Sequence, residues 1–222
     1  DRVRAVAAAL PSLQALVPLD DEGAALDPIA RADGSVLAPS AALARLAEAQ
    51  RGEVPFAELP FNHPLFILFS SGTTGAPKCI IHGVGGTLLE HHKEHRLHCD
   101  IRPGDRLSCF THCGSMMWYW LVSGLASGAS LLLYDGSMTL GNGAILFDYA
   151  QVERITHLGV SATFIDRIAK AGLRPRETHD LVRLRAFFSA EGGLAPESFD
   201  YVYQEIKADV CLSSISGSAD RS

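Results

Sequence analysis

From Leu65 onward, short apolar runs alternate with longer segments whose apolar residues recur at the helical spacing. Short apolar runs bounded by glycine, proline or serine are typical of strands, and the helical spacing is typical of amphipathic helices. The predicted strands are Phe66–Phe69, Cys79–Ile81, Arg106–Phe110, Ser130–Tyr134, Leu158–Val160, Leu184–Phe188 and Val210–Ile215. The predicted helices lie near Thr87–His98, Met117–Ala126, Asp148–Ile155, Ala162–Ala171 and Pro196–Lys207.

This alternation predicts an α/β fold whose core is built from parallel βαβ units. In such a sheet, ligands gather at the carboxyl ends of the strands. The glycine-rich and serine-rich loops after Phe69, Phe188 and Ile215 are all expected to lie at such ends.

The first part of the chain, residues 1–64, is predicted to be a lead-in of helices and loops. Residues 1–9 and 40–50 are rich in alanine and leucine at helical spacing, and the polar segment between them suggests a loop or short hairpin around Asp33-Gly34. No candidate chemistry lies in this part. Because the chain begins with Asp1 and shows no signal-peptide pattern, we expect it to be an internal piece of a longer protein.

Composition narrows the classes of function. The chain is 47% hydrophobic and 20% charged, as in ordinary globular proteins, and its net charge of −6 offers no broad basic surface, so nucleic acid is not an expected partner. The apolar run Met116–Tyr134 is interrupted by serine and glycine, so no membrane span is predicted. Five cysteines without CxxC pairs predict reduced thiols and a cytoplasmic location.

The segment from Ser70 to Lys78 has the composition of a phosphate-binding loop between two apolar strands. A triphosphate tail needs close approach of the backbone, hydroxyl and amide donors, and a cation. The residues that supply these are Ser70, Ser71, Gly72, Thr73, Thr74, Gly75 and Lys78. It is not a Walker A loop, because Ala76 and Pro77 separate Gly75 from Lys78 and no hydroxyl follows the lysine. The alternative is a simple turn that joins two strands.

This loop resembles the signature of the adenylate-forming superfamily of acyl-CoA synthetases, luciferases and peptide-synthetase adenylation domains. The resemblance runs from about Leu65 to Asp220 and narrows to the branch that joins acetoacetate to CoA. The segments that carry the narrower resemblance are His82–Gly86, Leu88–His91, Arg102–Arg106, Met116–Leu125 and Tyr134–Gly136. It implies that residues 1–222 are part of one large N-terminal domain, incomplete at both ends.

The resemblance also implies a reaction and roles for particular residues. An acid would attack the α-phosphorus of ATP to give an acyl-adenylate, from which CoA displaces AMP. The substrates would be ATP, CoA and acetoacetate or a similar short acid, with Mg²⁺ on the phosphates. Lys78 would neutralise the departing diphosphate and Asp220 would bind Mg²⁺. The other nucleotide-binding candidates are Glu191, Gly192 and Gly193 at the adenine, and Ser216, Gly217 and Ser218 in the loop that contacts the nucleotide. A ribose-binding aspartate and a small C-terminal domain with a further lysine would lie beyond Ser222.

Three positions depart from the family pattern. Ser189–Leu194 differs from the usual Ser-Thr-Gly-Ser-Pro-Leu, and Ala219 replaces a threonine, which would remove one hydrogen bond to phosphate. Ser115 replaces a tryptophan beside the acyl pocket and would enlarge that pocket or admit water to it. Trp118 and Trp120 are expected in the core rather than against substrate.

Several further residues resemble parts of other active sites. His91-His92-Lys93-Glu94-His95 matches the H-x-x-E-H pattern of inverted zinc peptidases, but the motif is short and its segment aligns with a packing helix of the family, so no metal is predicted. His112 and His157 are expected to be structural, and nothing marks Cys113 as an activated nucleophile.

The resemblance therefore implies that this chain is part of an acetoacetate–CoA ligase. The alternative is a nucleotide-binding remnant of the family without catalysis. A zinc metallopeptidase is the third hypothesis.

Overall fold

The computed structural model describes residues 9, 28–31, 33–37, 52, 56–69 and 75–217. The chain divides into two compact units, Asp1–Glu58 and Leu59–Ser222. In the first unit, β1 (Ile29–Ala30) pairs antiparallel with β2 (Val36–Leu37), as the Asp33-Gly34 pattern predicts. Apart from residue 9, the helices predicted at 1–9 and 40–50 lie outside the described residues.

The second unit begins with a separate antiparallel hairpin. Strand β3 (Pro64–Phe69) pairs with β4 (Cys79–Gly83), and Phe69 faces Cys79 at the end of the ladder. Residues 70–78 thus connect two hairpin strands, and the prediction that the loop after Phe69 lies at the end of a strand in the parallel sheet is wrong. A parallel pair needs a crossover of about a dozen or more residues, and the segment between Phe69 and Cys79 is shorter than that.

The two faces of this hairpin differ in burial. On the inner face, Phe66 and Leu68 are half-buried, and the Phe66 ring lies 4.0 Å from the Tyr119 ring, measured between centroids. On the outer face, Ile67 and Phe69 are each more than 60% exposed. Burial therefore alternates from one residue of β3 to the next, as expected for a strand, although the side chains on both faces are apolar.

A parallel sheet of five strands forms the centre of the second unit. Its strands are β5 (Arg106–Cys109), β6 (Ser130–Leu131), β7 (His157–Ser161), β8 (Ala186–Ala190) and β9 (Cys211–Ser214). They lie in the order β6-β5-β7-β8-β9, and every neighbouring pair is parallel. The predicted parallel α/β core is confirmed. At the sheet edge β6 is shorter than the predicted Ser130–Tyr134, because it pairs with β5 through two residues only.

Helices connect these strands. They are α1 (Val84–Lys93), α2 (Met116–Ser123), α3 (Ile145–Val152), α4 (Ala162–Lys170), α5 (Pro175–Thr178) and α6 (Pro196–Tyr201). Wider π-helical turns continue α1 through Glu94–His98 and α6 through Val202–Ile206, and a 3₁₀ turn, Gly124–Ser127, follows α2. The sequence pattern missed α5 and the 3₁₀ turn Leu140–Gly143, since four residues are too few to show a helical period.

Two hydrophobic clusters cover the sheet. The first contains Leu158, Phe164 and Phe187, and the second contains Leu107, Trp120 and Phe188. Neighbouring residues of a strand point to opposite faces, so the adjacent Phe187 and Phe188 of β8 each enter a different cluster. The sheet is therefore buried on both faces, which leaves its ends for binding.

Two further predictions can be compared with the described residues. Among those residues, no helix combines the length and the apolar character needed to cross a membrane. All five cysteines are described and none forms a disulfide.

Candidate functional site

A cavity of about 490 Å³ opens at the carboxyl edge of the parallel sheet. Its walls come from the turn after β8, the end of β9 with the loop that follows, and the start of α2. The lining residues are Ser115, Met116, Met117, Ala190, Glu191, Gly192, Gly193, Ser214, Ile215, Ser216 and Gly217. The loops expected at strand ends after Phe188 and Ile215 therefore do lie there, and together they form one site.

The turn after β8 has an unusual backbone. Glu191 has a φ of 61°, in the left-handed region that non-glycine residues seldom occupy, and Gly192 follows with a φ of 145°. At Gly193 the space around an added Cβ is open, so this residue leaves room at the cavity wall. The turn thus exposes its backbone to a ligand.

Hydrogen bonds tie this turn to β9. The amide of Leu194 donates to Ser214 Oγ at 3.4 Å, and the amide of Ile215 donates to the carbonyl oxygen of Ser189 at 2.7 Å. The two walls therefore share a hydrogen-bonded frame, although 20 positions of sequence separate Leu194 from Ser214.

The start of α2 forms the third wall. Ser115 Oγ accepts a hydrogen bond from the amide of Met117 at 3.2 Å, so Ser115 is the N-cap of the helix. The Met116 Cε atom lies 3.3 Å from the place that a Cβ at Gly217 would take. Sequence reasoning placed Ser115 beside an acyl pocket but missed Met116 and Met117. The signal that could have identified these two residues is that α2 follows β5, a strand of the parallel sheet, so its start lies near the carboxyl edge of the sheet.

The structure brings together five of the predicted nucleotide-binding residues. Glu191, Gly192, Gly193, Ser216 and Gly217 line the same cavity.

The remaining predicted residues either lie outside this cavity lining or fall outside the described part of the chain. Gly75 and Lys78 are exposed just before β4 and are not among the lining residues. The predicted residues outside the described part of the chain are Ser70, Ser71, Gly72, Thr73, Thr74, Ser218 and Asp220, and so is Ala219. Their roles stay predictions.

Helix α2 contacts both the hairpin and the cavity. A small void of about 10 Å³ beneath the hairpin is lined by Phe66 and Leu68 of β3 and by Met116 and Tyr119 of α2. Since Met116 also lines the large cavity, one side chain lies between the strand that precedes the predicted phosphate loop and the candidate site.

The histidine-rich segment has packing partners. The indole Nε1 of Trp120 donates to Glu94 Oε2 at 2.9 Å, and His91 Nδ1 lies 2.7 Å from Ser123 Oγ. His95 is fully buried with its ring edge-on to Trp120, and this burial lowers the pKa of His95 to about 4. Over residues 75–217 and the other described positions, no group of three or more His, Cys, Asp or Glu could hold a metal ion. Glu94, the would-be base of a peptidase, is bonded to the core instead.

His157 and the two tryptophans also have structural surroundings. His157 is buried at the amino end of β7, with Nε2 3.1 Å from the carbonyl oxygen of Cys99 and Nδ1 2.8 Å from Thr156 Oγ1. Burial lowers the pKa of His157. The predicted core position is confirmed for Trp120, which is 5% exposed, while Trp118 is half-buried against the same cluster.

The chain belongs to the AMP-binding enzyme family, whose model matches residues 3–211. This match shows the predicted adenylate-forming class.

The names of similar proteins agree with the predicted branch, which joins acetoacetate to CoA. The chain is 52% identical over 219 residues to acetoacetyl-coenzyme A synthetase of Rhizobium meliloti (strain 1021), which covers 99% of this chain and 33% of that protein. It is 40% identical over 236 residues to malonamoyl-CoA synthetase vrtB of Penicillium aethiopicum, covering 99% of this chain and 32% of that protein. Acetoacetyl-CoA synthetase from Streptomyces lividans is similar in structure, with a TM-score of 0.84, 35% identity, and coverage of 99% of this chain and 33% of the other. The chain thus spans about a third of the length of these relatives.

Proposed function

We propose that the cavity at the carboxyl edge of the sheet binds the adenosine part of ATP, and that the protein is an acetoacetate–CoA ligase. The observation that carries this proposal is the meeting of two separate nucleotide-binding candidates, the turn after β8 and the loop after β9, in one cavity. Its volume of about 490 Å³ falls in the range of small-molecule sites, roughly 300–1,000 Å³.

Each segment has a proposed role in the reaction. Gly192 and Gly193 let the backbone approach the base, and Ser216 with Gly217 contacts the nucleotide from the β9 side. The loop Ser70–Lys78 holds the β- and γ-phosphates, and Lys78 neutralises charge on the departing diphosphate. The acid displaces diphosphate to give an acyl-adenylate, and CoA then displaces AMP.

Asp220 is the proposed ligand of Mg²⁺. A carboxylate oxygen is a suitable ligand for this hard cation, which usually binds protein through one or two carboxylates together with substrate phosphates. When bound, Mg²⁺ would offset the negative charge on those phosphates.

The identity of the acid is supported by the names of the relatives. The acetoacetyl and malonamoyl groups in the relatives' names are nearly isosteric, since each carries a carbonyl on its third carbon and they differ by a methyl or an amino group. We therefore propose acetoacetate or a similar short 3-oxo acid as the substrate.

Domain organisation and cellular location are also part of the proposal. Residues 1–222 are part of one N-terminal AMP-binding domain, with residues 1–64 as its lead-in and 65–222 as its α/β core. The protein is cytoplasmic, because five unpaired cysteines suit a reducing compartment.

Binding of AMP, followed by calorimetry, tests the site itself. Gly193→Trp is expected to weaken AMP binding at least about tenfold by filling the cavity, a loss of about 1.4 kcal/mol. Gly86→Trp is the matched control, because Gly86 lies outside the cavity lining and an added Cβ has open space at both glycines. Equal AMP affinity in both variants and the wild type would refute the site.

The activity is tested, in the longer protein that contains this chain, by exchange of labelled diphosphate into ATP in the presence of acetoacetate. Exchange that requires the acid supports an acyl-adenylate. AMP binding without such exchange would favour the alternative of a nucleotide-binding remnant.

A further inference from the structure

A second pocket lies at the amino edge of the parallel sheet, at the opposite end of the strands from the candidate nucleotide site. Its volume is about 200 Å³, and its walls come from α5 with the segment that leads towards β8, and from the residues that lead into β9. These segments precede their strands, whereas the large cavity is lined by residues that follow β8 and β9. The two sites are therefore separate.

The floor of this second pocket is apolar. Leu181 and Ile206 line it, are only 7% and 1% exposed, and belong to the hydrophobic cluster on one face of the sheet. Val182 also lines the pocket and is 69% exposed. Apolar surface that is open to solvent at the bottom of a pocket favours a ligand with an alkyl part.

Four side chains that can carry charge also line the pocket, and three of them already have partners. Lys207 Nζ forms an ion pair with Asp209, and His179 Nε2 lies 3.1 Å from Asp148 Oδ1. Arg176 Nη1 donates one hydrogen bond of 3.4 Å to a backbone carbonyl oxygen, and within the described part of the chain Arg176 forms no ion pair. Because a guanidinium has five N–H donors, Arg176 keeps donors for an anion.

The charges and the size of the pocket narrow the class of ligand. A guanidinium binds a carboxylate through two parallel hydrogen bonds. Asp209 in the lining and Asp148 beside His179 add negative charge, which disfavours a doubly charged anion such as phosphate. The volume is below the roughly 300–1,000 Å³ of most small-molecule sites, so the ligand is smaller than a nucleotide.

We propose that this pocket binds a short-chain monocarboxylate, with the carboxylate on Arg176 and the alkyl chain against Leu181, Val182 and Ile206. It is a second site for an acid, distinct from the one at which an acid is activated under the proposed function. The inference does not rest on that function, because no step of it uses the nucleotide site.

Titration with hexanoate tests the pocket, followed by ligand-observed NMR at constant ionic strength on the longer protein that contains this chain. We expect a roughly millimolar dissociation constant, as is usual for so small a ligand. Arg176→Gln should weaken the binding at least about fivefold, since one solvent-exposed charged contact is lost. Arg176→Lys keeps the charge without the planar fork and should give an intermediate affinity.

The matched control is Arg174→Gln. Arg174 is an exposed arginine just before α5 that pairs with Glu177 at 3.1 Å and does not line the pocket, so hexanoate should bind this variant as it binds the wild type. Val182→Ser tests the apolar floor and should weaken hexanoate binding while it leaves acetate binding unchanged. All of these side chains are exposed, so the melting temperatures should stay close to that of the wild type.

Three results would overturn the inference. They are no binding of hexanoate to the wild type, equal hexanoate affinity in the wild type and Arg176→Gln, and phosphate binding that is tighter than hexanoate binding and is lost in Arg176→Gln. Titration with AMP reports on the nucleotide site separately, so failure of this pocket and failure of the proposed function are distinguishable.

Discussion

Lys78 is the single cation of the predicted phosphate loop, and it lies exposed just before β4. Lys78→Ala is expected to weaken MgATP binding by roughly 1.5–3 kcal/mol, about tenfold to hundredfold, because one charged contact to the phosphates is lost. AMP binding should not change, since AMP lacks the β- and γ-phosphates.

The control for this prediction is Lys170→Ala, which removes an exposed lysine at the end of α4. Calorimetry with MgATP and with AMP on all three proteins distinguishes the loop from general charge effects. Wild-type MgATP affinity in Lys78→Ala would contradict the assignment.

His95 makes stability depend on pH. Its pKa in the folded protein is lowered to about 4 by burial, with a further contribution from His91, whereas a histidine in the unfolded chain titrates near 6.5. Between these values the unfolded chain binds the proton and the folded protein does not. The free energy of unfolding should therefore fall by about 1–2 kcal/mol between pH 7 and pH 5.

Urea denaturation at pH 7, 6 and 5 measures this slope. His95→Phe keeps a ring against Trp120 and removes the titrating group, so its slope should be shallower. His98→Phe, at an exposed position, should keep the wild-type slope. The same slope in all three proteins would show that His95 does not control acid stability.

At the scale of elements, two serines are the N-caps of helices, each accepting from a different amide of its first turn. Ser115 Oγ caps α2, and Ser161 Oγ caps α4 by accepting from the amide of Phe164 at 3.2 Å. Each change to alanine should cost about 1 kcal/mol of unfolding free energy. Only Ser115→Ala should also weaken AMP binding, because Ser115 lines the cavity and Ser161 does not.

Denaturation and AMP titration of the two variants check this pair. Equal loss of AMP affinity in both would show that helix capping acts on the site only through overall stability.

The sequence predicted the elements of the second unit better than their arrangement. Strands such as β7 and β8 are short apolar runs between clear breaks, so local pattern identifies them. The pairing of β3 with β4 depends on the length of the connection between them. The prediction treated this pair like the strands elsewhere, which alternate with helices and are parallel.

The candidate site was predicted in the same uneven way. The loops that contain Gly192 and Ser216 were expected at strand ends from the local pattern, whereas their role as nucleotide-binding candidates came from the family resemblance. Met116 and Met117 were not found as site residues. Apolar side chains at a helix start look the same in sequence whether they face the core or a cavity.

At the scale of the whole molecule, the chain spans about a third of the length of its relatives. A polypeptide of these 222 residues by itself is expected to bind nucleotide weakly and to make no detectable acetoacetyl-CoA. The family resemblance assigns the ribose-binding aspartate and the lysine that assists adenylation to segments outside it. Loss of one such electrostatic contact typically costs roughly a hundredfold to a thousandfold in rate.

Incubation with acetoacetate, MgATP and CoA, followed by chromatography of the thioester, tests this expectation. Sustained turnover that disappears on Lys78→Ala would show that those outside segments are dispensable.

The strands that flank residues 70–78 form a hairpin that is not part of the parallel sheet, and this separation bears on the order in which products leave. Under the proposed function, breaking the bond between the α- and β-phosphates places the two products on different elements. Diphosphate remains with the hairpin loop, and the acyl-adenylate remains at the sheet edge. Diphosphate can then depart first, without movement of any strand that holds the adenylate, and the reactive anhydride stays bound until CoA arrives. AMP and diphosphate should consequently act as independent product inhibitors, each with an inhibition constant that the other leaves unchanged.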